Sequence, residues 1–577
     1  MKETIMRRSS VLHCRRGRYL AMIAAPVSAM CVSATASAFT FDTSPEWRVN
    51  LDNSVQYTLG ARMQSRDNRL GNHPFYAQGN YKFDNGDVVT NRIQDLVEFQ
   101  AVYRDRMGFR VSGSLWNDFA YDDRVETNPN PAFSTFLSYP SGRYSSDTKK
   151  YHLQGGELLD AFVFNNTEIG GKPVYLKAGR LTQFWGNALF FGFSSISYSQ
   201  SPVDYIKGFS QPGSEVKELF LPRAQILGTV ELTPELSISG QYFFEWRPNR
   251  YPEGGTYLGP FDILYRGPTS GGALAGSLGG PVSAGNEDKP SDNNQNFGVK
   301  VTWSPEWAGG DLGFYYRQLD EVHPWALADI SATGGGRLHL SYAQKVKLFG
   351  LSYERSFGLL STGFEASYRQ DTALNSALTN GIPGVPTTEG ATGDVVNVIA
   401  NAFVQLGSTP FYDSGVLLAE LSYTHLVKVT GNESMYNGVG HSACRDSVNS
   451  ALSGDKWDGC ATNNAVGFAM LFEPQWLQVF PSVDISMPVS YTRGVKGNPA
   501  YAAGSFYAEG AEIYSVGVKA TYKSKHSIAL QYNGYHWRTG DVVDIPGLGR
   551  SYAGYGGNGA VALNDKGWLQ LTIKSSF

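Results

Sequence analysis

The chain has 577 residues, of which 48 are basic and 52 acidic, with 42% hydrophobic and 17% charged residues. This hydrophobic content excludes an intrinsically disordered chain, and a net charge of −4 without a Lys/Arg-rich stripe argues against nucleic acid as a partner. The 65 glycines, 33 tyrosines and 11 tryptophans favour a β-rich fold with many turns. One large β domain is compatible with this length, because a single barrel can use several hundred residues.

The first 38 residues have the pattern of a cleaved signal peptide. Several arginines precede an apolar run at residues 20–32, and Ala36-Ser37-Ala38 is a small-residue cleavage site. The run is shorter than the roughly 20 residues that a transmembrane helix needs, so a membrane anchor is the weaker alternative. We therefore expect residues 1–38 to be removed on export and residues 39–577 to form the mature protein.

Residues 47–63 alternate apolar and polar side chains over their whole length. A period of two is typical of a β-strand with two different faces. In a soluble sandwich the polar face would meet bulk water, whereas in a membrane barrel it would line the lumen and the apolar face would meet lipid. For the barrel, the predicted lumen-lining residues of this first strand include Arg48, Asp52, Gln56 and Arg62.

Short and long connections alternate along the chain. Tight turns are predicted at residues 105–108, 170–173 and 233–235, whereas residues 247–295 and 428–464 are long polar stretches rich in Gly, Pro, Ser and Asn. Outer-membrane barrels have short periplasmic turns and long extracellular loops, and a sandwich has no reason to keep this rhythm. Eight short turns and nine long connections predict an all-β fold, a transmembrane antiparallel β-barrel of about 18 strands, within a range of 16 to 20.

The C-terminus supports the same fold. Leu569, Leu571 and Ile573 alternate toward a terminal Phe577, with Ser575 interrupting the apolar series. This end resembles the aromatic terminal strand by which the barrel-insertion machinery recognises outer-membrane barrels. We therefore expect the outer-membrane lipid bilayer and that machinery to be the partners of the chain.

Two cysteines stay in the mature chain after the signal peptide is removed. Cys444 and Cys460 lie in a polar stretch, and two cysteines in an exported chain usually form a disulfide. Metal binding with His441 is the alternative, but it lacks a convincing fourth ligand. We predict the disulfide and no metal site.

Several blocks of sequence occur in an order that belongs to a known family. They are Leu158-Leu159-Asp160-Ala161, residues 176–180 running into Trp185-Gly186, Ser201-Pro202-Val203-Asp204, residues 212–218 with Leu221-Pro222, Pro474-Gln475-Trp476, residues 481–484 and Pro488-Val489-Ser490-Tyr491. Together they resemble the Gram-negative exported family labelled domain of unknown function 1302. This resemblance implies an outer-membrane-type barrel, often found with genes for using hydrophobic or aromatic compounds. It implies no catalytic residue.

The segment at residues 183–222 differs from the other connections because it is aromatic and of mixed charge. One interpretation is that it folds into the lumen as a constriction or plug, where charges and rings would select solutes. The other is an extracellular cap or a subunit contact. The candidate lumen or constriction residues are Arg180, Gln183, Trp185, Asp204, Lys207, Glu215 and Arg223.

Three functions are compatible with these features. The leading hypothesis is an outer-membrane channel or uptake protein for the passive passage of small, hydrophobic or amphipathic solutes. The second is a non-conducting envelope barrel that docks partners in lipid or polymer export, and the third is a barrel-embedded hydrolase. Neither H-E-x-x-H nor G-x-S-x-G occurs in the sequence, so we expect no enzyme and no cofactor.

Overall fold

The computed structural model describes residues 39–41, 44–210, 216–501 and 507–577. The predicted signal peptide, residues 1–38, lies outside the described residues. Regular structure is mostly β. The strands are β1 (Phe39–Phe41), β2 (Trp47–Arg62), β3 (Val88–Tyr103), β4 (Met107–Asp118), β5 (Gln154–Ile169), β6 (Lys172–Leu181), β7 (Arg223–Thr233), β8 (Leu236–Phe243), β9 (Val282–Glu287), β10 (Phe297–Trp303), β11 (Asp311–Leu319), β12 (Trp325–Ile330), β13 (Gly336–Ser341), β14 (Val346–Phe357), β15 (Leu360–Ala373), β16 (Thr392–Leu406), β17 (Ser414–Gly431), β18 (Asn464–Phe480), β19 (Val483–Ser486), β20 (Val489–Lys496), β21 (Glu512–Tyr522), β22 (His526–His536), β23 (Val542–Ile545), β24 (Gly549–Tyr552) and β25 (Trp568–Ser576).

The helices are short and lie in the connections between strands. Those of α type are Asn68–Gly71, Ala77–Tyr81, Ser146–Thr148, Tyr205–Ser210, Val216–Leu219 and Ala275–Leu278. The 3-10 helices are Pro131–Phe136, Gly192–Ser194, Gly272–Leu274, Glu306–Ala308, Glu433–Met435, Lys456–Asp458 and Val561–Leu563, and Lys149–Leu153 is a π-helix turn. Within the described part of the chain, none of the helices is both long and apolar enough to cross a membrane.

One large antiparallel sheet closes on itself. Its neighbours follow chain order, and β2 closes the sheet by pairing residues 54–62 with residues 568–576 of β25. Strands β19 and β20 are two halves of one barrel strand, since both pair with β18 on one side and β21 on the other. Strand β1 pairs with β2 beyond the end of β25. The barrel therefore has 18 strands, and the predicted fold class and strand number are confirmed.

The two rims of the barrel differ as predicted. One rim carries tight turns such as residues 170–171. The other carries the long connections, of which residues 497–511 are the shortest and residues 244–296 the longest. Both described ends of the chain lie at the short-turn rim, because the Arg104 amide donates to the Glu46 carbonyl and the Ser576 amide donates to the Lys525 carbonyl.

The outer face of the barrel is apolar. In β14, exposed and buried residues alternate. Phe349 and Leu351 are 45% and 53% exposed, whereas Leu348 and Gly350, which precede them in turn, are buried. Exposed apolar side chains recur around the wall, for example Val97, Phe109, Leu115, Val163, Leu176, Ile226, Phe314, Phe364, Leu421, Val518 and Leu530. A closed sheet with this band leaves no unpaired backbone edge and matches the hydrocarbon core of a bilayer.

The hydrophobic core lies inside the barrel, next to the long connections. There, wall residues such as Leu348 and Ile399 pack against residues of the connections, including Trp185 and Phe193. Toward the short-turn rim, inward positions such as Arg48 and Asp52 are exposed. The lumen is thus filled next to the long connections and more open toward the short-turn rim.

The long connections contain structure of their own. Strands β9, β12 and β13 form a three-stranded sheet, and β23 pairs with β24. Cys444 and Cys460 are joined by a disulfide with a Cα to Cα distance of 5.7 Å, which confirms the predicted pair.

Candidate functional site

The connection between β6 and β7, residues 182–222, enters the lumen, and we call it the inner segment. Its residues 211–215 lie outside the described residues, and with them the predicted site residue Glu215. The part from Trp185 to Ser199 contacts the inner wall, and the helix Tyr205–Ser210 continues it. Both parts are held by charged side chains.

Glu365 holds the first turn of the inner segment. It lies on the face of β15 opposite the exposed Phe364 and is 1% exposed. Its carboxylate accepts hydrogen bonds from the backbone N–H groups of Asn187, Ala188 and Ile196, the last two at 2.8 Å. A buried carboxylate with three N–H donors is stabilised without a cation.

Glu420 holds the next residues in the same way. It is also 1% exposed, and it lies on the inward face of β17. Its carboxylate accepts the N–H groups of Leu189, Phe190 and Phe191 at 2.6, 2.8 and 2.7 Å. Leu189 and Phe190 are 43% and 37% exposed. Because their backbone is fixed to the inner wall, the space that these two side chains face is the lumen.

Two wall arginines hold carbonyl groups of the inner segment. Arg317 of β11 donates to the carbonyls of Ile196 and Tyr198 at 2.7 and 2.6 Å. Arg369 of β15 donates to the Phe193 carbonyl at 2.8 Å, and its guanidinium lies 4.7 Å from the centroid of the Tyr198 ring. These charge-assisted bonds hold the backbone whatever its side chains are.

Arg223, a predicted site residue, completes this set at the start of β7. It is 1% exposed and donates to the carbonyls of Ser199 and Glu245 at 2.7 and 3.0 Å. Its guanidinium also lies 4.1 Å from the centroid of the Phe243 ring. It therefore ties the inner segment to the end of β8.

Trp185 and Gln183 lie at the start of the inner segment. Trp185 is 3% exposed, and its amide donates to the Gln200 side chain at 2.6 Å. Its indole lies against Gly298, where a Cβ atom would come within 2.6 Å of the ring, so the wall leaves room for the indole only with glycine there. Gln183 is half-buried and donates to the Phe184 carbonyl at 3.1 Å.

Asp204 and Lys207, both predicted site residues, belong to a buried group of four charges. Lys207 donates to one carboxylate oxygen of Glu157, a residue of β5, at 3.0 Å, and Arg250 lies 2.7 Å from the other. Arg250 also donates to Asp204 at 3.0 Å. Asp204 in turn accepts the Lys207 amide in the first turn of the helix Tyr205–Ser210. This group joins the wall, the inner segment and the connection at residues 244–296.

Arg180 does not share this arrangement. It lies on the face of β6 that also carries Leu176, which is 40% exposed, and it pairs with Glu245 through two hydrogen bonds of 2.6 and 3.2 Å. Its part in a constriction stays a prediction.

The four predicted lumen-lining residues of β2 lie at different depths along the barrel axis. Arg62 is fully buried and donates to the carbonyls of Asn80 and Phe83, within the connection at residues 63–87. Gln56 is buried near the middle of the strand. Arg48 and Asp52 are exposed, and Arg48 lies 3.0 Å from Asp105 of the first short turn.

Two further buried carboxyl groups lie in the connection at residues 244–296. Asp262 accepts the amides of Gln78 and Gly79 at 2.7 and 2.9 Å, and burial raises its pKa. Glu253 accepts the Gly267 amide at 2.7 Å, and burial raises its pKa to about 7. Among the described residues, no group of three or more His, Cys, Asp and Glu side chains is placed to hold a metal ion.

Sequence reasoning missed five charged residues of the wall that bind the inner segment, namely Glu157, Glu365, Glu420, Arg317 and Arg369. Each lies on the polar face of its strand. Because any polar residue is compatible with a lumen-facing position, the alternation alone does not distinguish these residues from their neighbours. The spacing of Glu365 and Arg369, four residues apart and hence on one strand face, was the available signal.

Phe577 is 8% exposed and completes the pairing of β25 with β2, because it exchanges backbone hydrogen bonds with Asn53 at 2.8 and 3.3 Å. Its ring lies 6.1 Å from that of His526. Its role as an insertion signal stays a prediction.

The closed sheet, its apolar outer band and the occupied lumen define an outer-membrane-type β-barrel. The chain belongs to the family described as "Protein of unknown function (DUF1302)", whose model matches residues 19–577. This confirms the resemblance found in the sequence. No curated protein matches the chain.

Solved structures similar to the chain include outer-membrane proteins of two bacteria. Acinetobacter baumannii OccAB4 has 10% identity and a TM-score of 0.40, with 92% of this chain and 98% of that chain covered. Pseudomonas aeruginosa OpdK, solved with vanillate, has 9% identity and a TM-score of 0.39, with the same coverage. Pseudomonas aeruginosa OccK2 (OpdF), in complex with glucuronate, has 9% identity and a TM-score of 0.38, covering 94% and 99%.

Proposed function

We propose that this protein is a gated channel of the outer membrane, through which small apolar or amphipathic solutes pass by diffusion. The observation that carries the proposal is the way the inner segment is held. Charged residues of the wall bind the backbone of residues 187–199 inside the lumen, and the lumen is more open beyond it, toward the short-turn rim.

The inner segment is suited to be a gate because its attachment is reversible. Each hydrogen bond contributes on the order of 1–3 kcal/mol net when one partner is charged. This is far less than the free energy of a covalent bond or of a continuous ladder of hydrogen bonds between two strands. An amphipathic solute whose polar group competes for a few of these contacts releases part of the segment without breaking the barrel.

The surface of the gate favours apolar solutes. The carboxylates of Glu365 and Glu420 are occupied by backbone N–H groups, so their charge is already compensated at the gate. The side chains that project into the lumen beside them are Leu189 and Phe190. A solute reaching the gate from the short-turn rim therefore meets apolar surface.

Conductance in a planar bilayer tests the proposal. Residues 39–577 are compared with a variant in which residues 194–210 are replaced by a Gly-Ser linker of equal length. A matched control replaces the exposed tip at residues 380–386. We expect small, intermittent currents for the unchanged chain and the control, and a large, steady current for the inner-segment variant.

Two outcomes would contradict the proposal. A large steady current that is equal in all three proteins would show that the inner segment does not close the lumen. Barrels that insert, as their heat-modifiable gel mobility shows, and yet carry no current in any variant would favour the docking barrel instead.

A further inference from the structure

Six long connections converge on a cavity of about 250 Å³ on the long-loop side of the barrel. Its lining comes from residues of the connections at 63–87, 244–296, 320–345, 374–391, 432–463 and 537–567. The lining includes the aromatic residues Phe75, Phe261, Tyr265, Trp325 and Tyr555, with Ala326 next to Trp325. The volume is close to the lower end of the range for small-molecule sites, roughly 300–1,000 Å³.

Aromatic rings form much of the lining. Phe75 stacks on Tyr555 with ring centroids 5.7 Å apart, and the edge of Phe261 meets both rings at 6.4 and 6.1 Å. Trp325 is 3% exposed, and its indole N–H donates to the Leu374 carbonyl at 2.8 Å. Its polar atom is thus satisfied by the protein, and the cavity meets the apolar part of the indole.

A stack of rings leads from the cavity to the inner segment. Tyr265 lines the cavity and lies 4.8 Å from Tyr251, which lies 5.0 Å from Tyr205, which lies 5.9 Å from Phe193. The ring planes of successive members differ by 15°, 11° and 7°. A planar ring bound against Tyr265 would extend this stack by one member.

The backbone at Tyr265 indicates that its position is imposed by the surroundings. Its φ angle is +72°, in the left-handed region that large side chains rarely adopt. Such strain persists only where the surrounding structure requires it, and it is frequent at binding sites. Here it holds the ring between Tyr251 and the cavity.

The polar groups of the lining are engaged with the protein. The Asn375 amide donates to the carbonyls of Asn437 and Gly459 at 3.2 and 3.1 Å. Asp458 accepts the amides of Ser447 and Asp455, both at 2.9 Å. Among the residues described around the cavity there is no lysine or arginine, and the histidine there, His323, contacts the Tyr251 hydroxyl through Nδ1 at 2.5 Å.

A second cavity of about 430 Å³ differs from the first in the charge of its lining. Its lining includes Arg247, Arg250, Arg266 and Lys289, with Asp292 as the single acidic residue among the described ones. Trp246 of this cavity packs with Leu340 of the first, so the two lie on either side of one hydrophobic cluster. Basic side chains therefore line the second cavity, and among the described residues none line the first.

We propose that the aromatic cavity is a binding site for a neutral, planar aromatic solute of one or two fused rings. The passage of that solute rests on the proposed function, whereas its binding does not. The rings supply stacking partners, and the lack of Lys and Arg among the described lining residues discriminates against carboxylates.

Binding is measured with 1-aminonaphthalene, a neutral fluorescent probe of two fused rings, on the purified mature chain in detergent. The probe is then displaced with naphthalene or with 2-naphthoate. Ala326→Phe fills the cavity from the half-buried strand β12, and Ala332→Phe makes the same change at an exposed position of the following turn. Because the detergent binds the probe equally in all samples, the saturable part of the fluorescence reports the cavity. Cooperative melting of each variant verifies its fold.

We expect Ala326→Phe to weaken probe binding at least about tenfold and Ala332→Phe to leave it within about twofold. Naphthalene should displace the probe at least about tenfold better than 2-naphthoate. Since Phe261→Leu removes one ring without filling the cavity, it serves as a milder variant and should weaken binding severalfold. Equal binding by the unchanged chain and Ala326→Phe would overturn the proposal. Preferential binding of 2-naphthoate that is lost in Arg247→Met would overturn it too.

Entry of the probe into vesicles that contain the barrel separates this inference from the proposed function. If the cavity binds the probe but the barrel does not speed its entry, the binding site is correct and the channel is not. If entry is fast but Ala326→Phe neither binds worse nor slows it, the channel is correct and this binding site is wrong.

Discussion

The two parts of the inner segment are held in the lumen in different ways. Residues 185–199 are held through their backbone, by carboxylates and guanidinium groups that project from the wall. Residues 204–210 are held by side chains, because Asp204 and Lys207 pair with Arg250 and Glu157, and by one backbone bond from the Tyr205 amide to the Arg250 carbonyl. The first attachment uses groups of the barrel wall, whereas the second combines Glu157 of the wall with side chains of the inner segment and of the connection at residues 244–296.

This difference predicts two kinds of sensitivity. Most substitutions within residues 185–199 leave every backbone N–H and carbonyl group in place, so the wall retains its partners. In the second part, one substitution removes a charge from a buried group, and an uncompensated buried charge is costly. The predictions below test this contrast, from the largest expected effect on the inner segment to the smallest.

Glu420→Ala should have the largest effect. It leaves the N–H groups of Leu189, Phe190 and Phe191 without their acceptor, at a cost of about 1–3 kcal/mol for each group that stays buried. We expect local detachment, seen as faster amide exchange at these residues and a larger open fraction in the bilayer. Glu420→Gln keeps one acceptor oxygen, so its amide exchange and open fraction should lie between those of the unchanged chain and of Glu420→Ala. Glu235→Ala, at an exposed turn, should change neither quantity. Unchanged exchange in Glu420→Ala would show that the wall carboxylate does not hold the gate.

Arg250→Met should release the second part alone. It removes the partner of Asp204 and leaves Glu157 with Lys207, which we expect to cost about 3 kcal/mol of local stability. Amide exchange at residues 204–210 should accelerate while that of residues 187–199 stays the same. Lys289→Met, at a 55% exposed side chain, is the matched control. Equal acceleration in both parts would mean that the two attachments are not separate.

A pH dependence should follow from Glu253, in the connection that carries Arg250. Burial raises its pKa to about 7, so the folded state holds a proton that the unfolded state has lost. The associated stability is present below the usual carboxyl pKa near 4.3 and is lost as pH rises through 7, on the order of 3–4 kcal/mol. Exchange at residues 248–268, corrected for intrinsic rates, should be faster at pH 8 than at pH 5. Glu253→Gln should remove this difference, and an identical pH profile in that variant would contradict the assignment.

Removing the disulfide should have the smallest effect on the inner segment. The double variant Cys444→Ser/Cys460→Ser releases a loop with a sequence separation of 16, worth roughly 3 kcal/mol in the chain-entropy model, but only within the connection at residues 432–463. We expect faster proteolysis of that connection and unchanged conductance. A conductance change comparable with that of Glu420→Ala would show that the outer connections also hold the gate.

Local patterns were sufficient to predict the wall. The alternation at residues 47–63 corresponds to β2, Trp47–Arg62, and the rhythm of turns and connections led to 18 strands. Both depend on short-range properties, because the pleat of a strand and the length of a turn are visible in neighbouring residues. The same alternation places Arg180 on the face of β6 that also carries the exposed Leu176.

The attachments of the inner segment could not be predicted in this way. Glu157 meets Lys207 and Arg250, and Glu420 meets residues 189–191, across large separations in sequence. Their choice of partners depends on how the barrel closes and on how deep the segment descends. No periodicity encodes either property.

The sequence by itself determined the fold class, the number of strands, the disulfide and the unusual character of residues 183–222. Only the tertiary structure decided which polar residues bind the inner segment, and that Leu189 and Phe190 project into the lumen. It also decided that six separate connections enclose one aromatic cavity. The physical reason is that alternation is set by each strand alone, whereas a buried charge must find its partner in a closed space that all 18 strands create together.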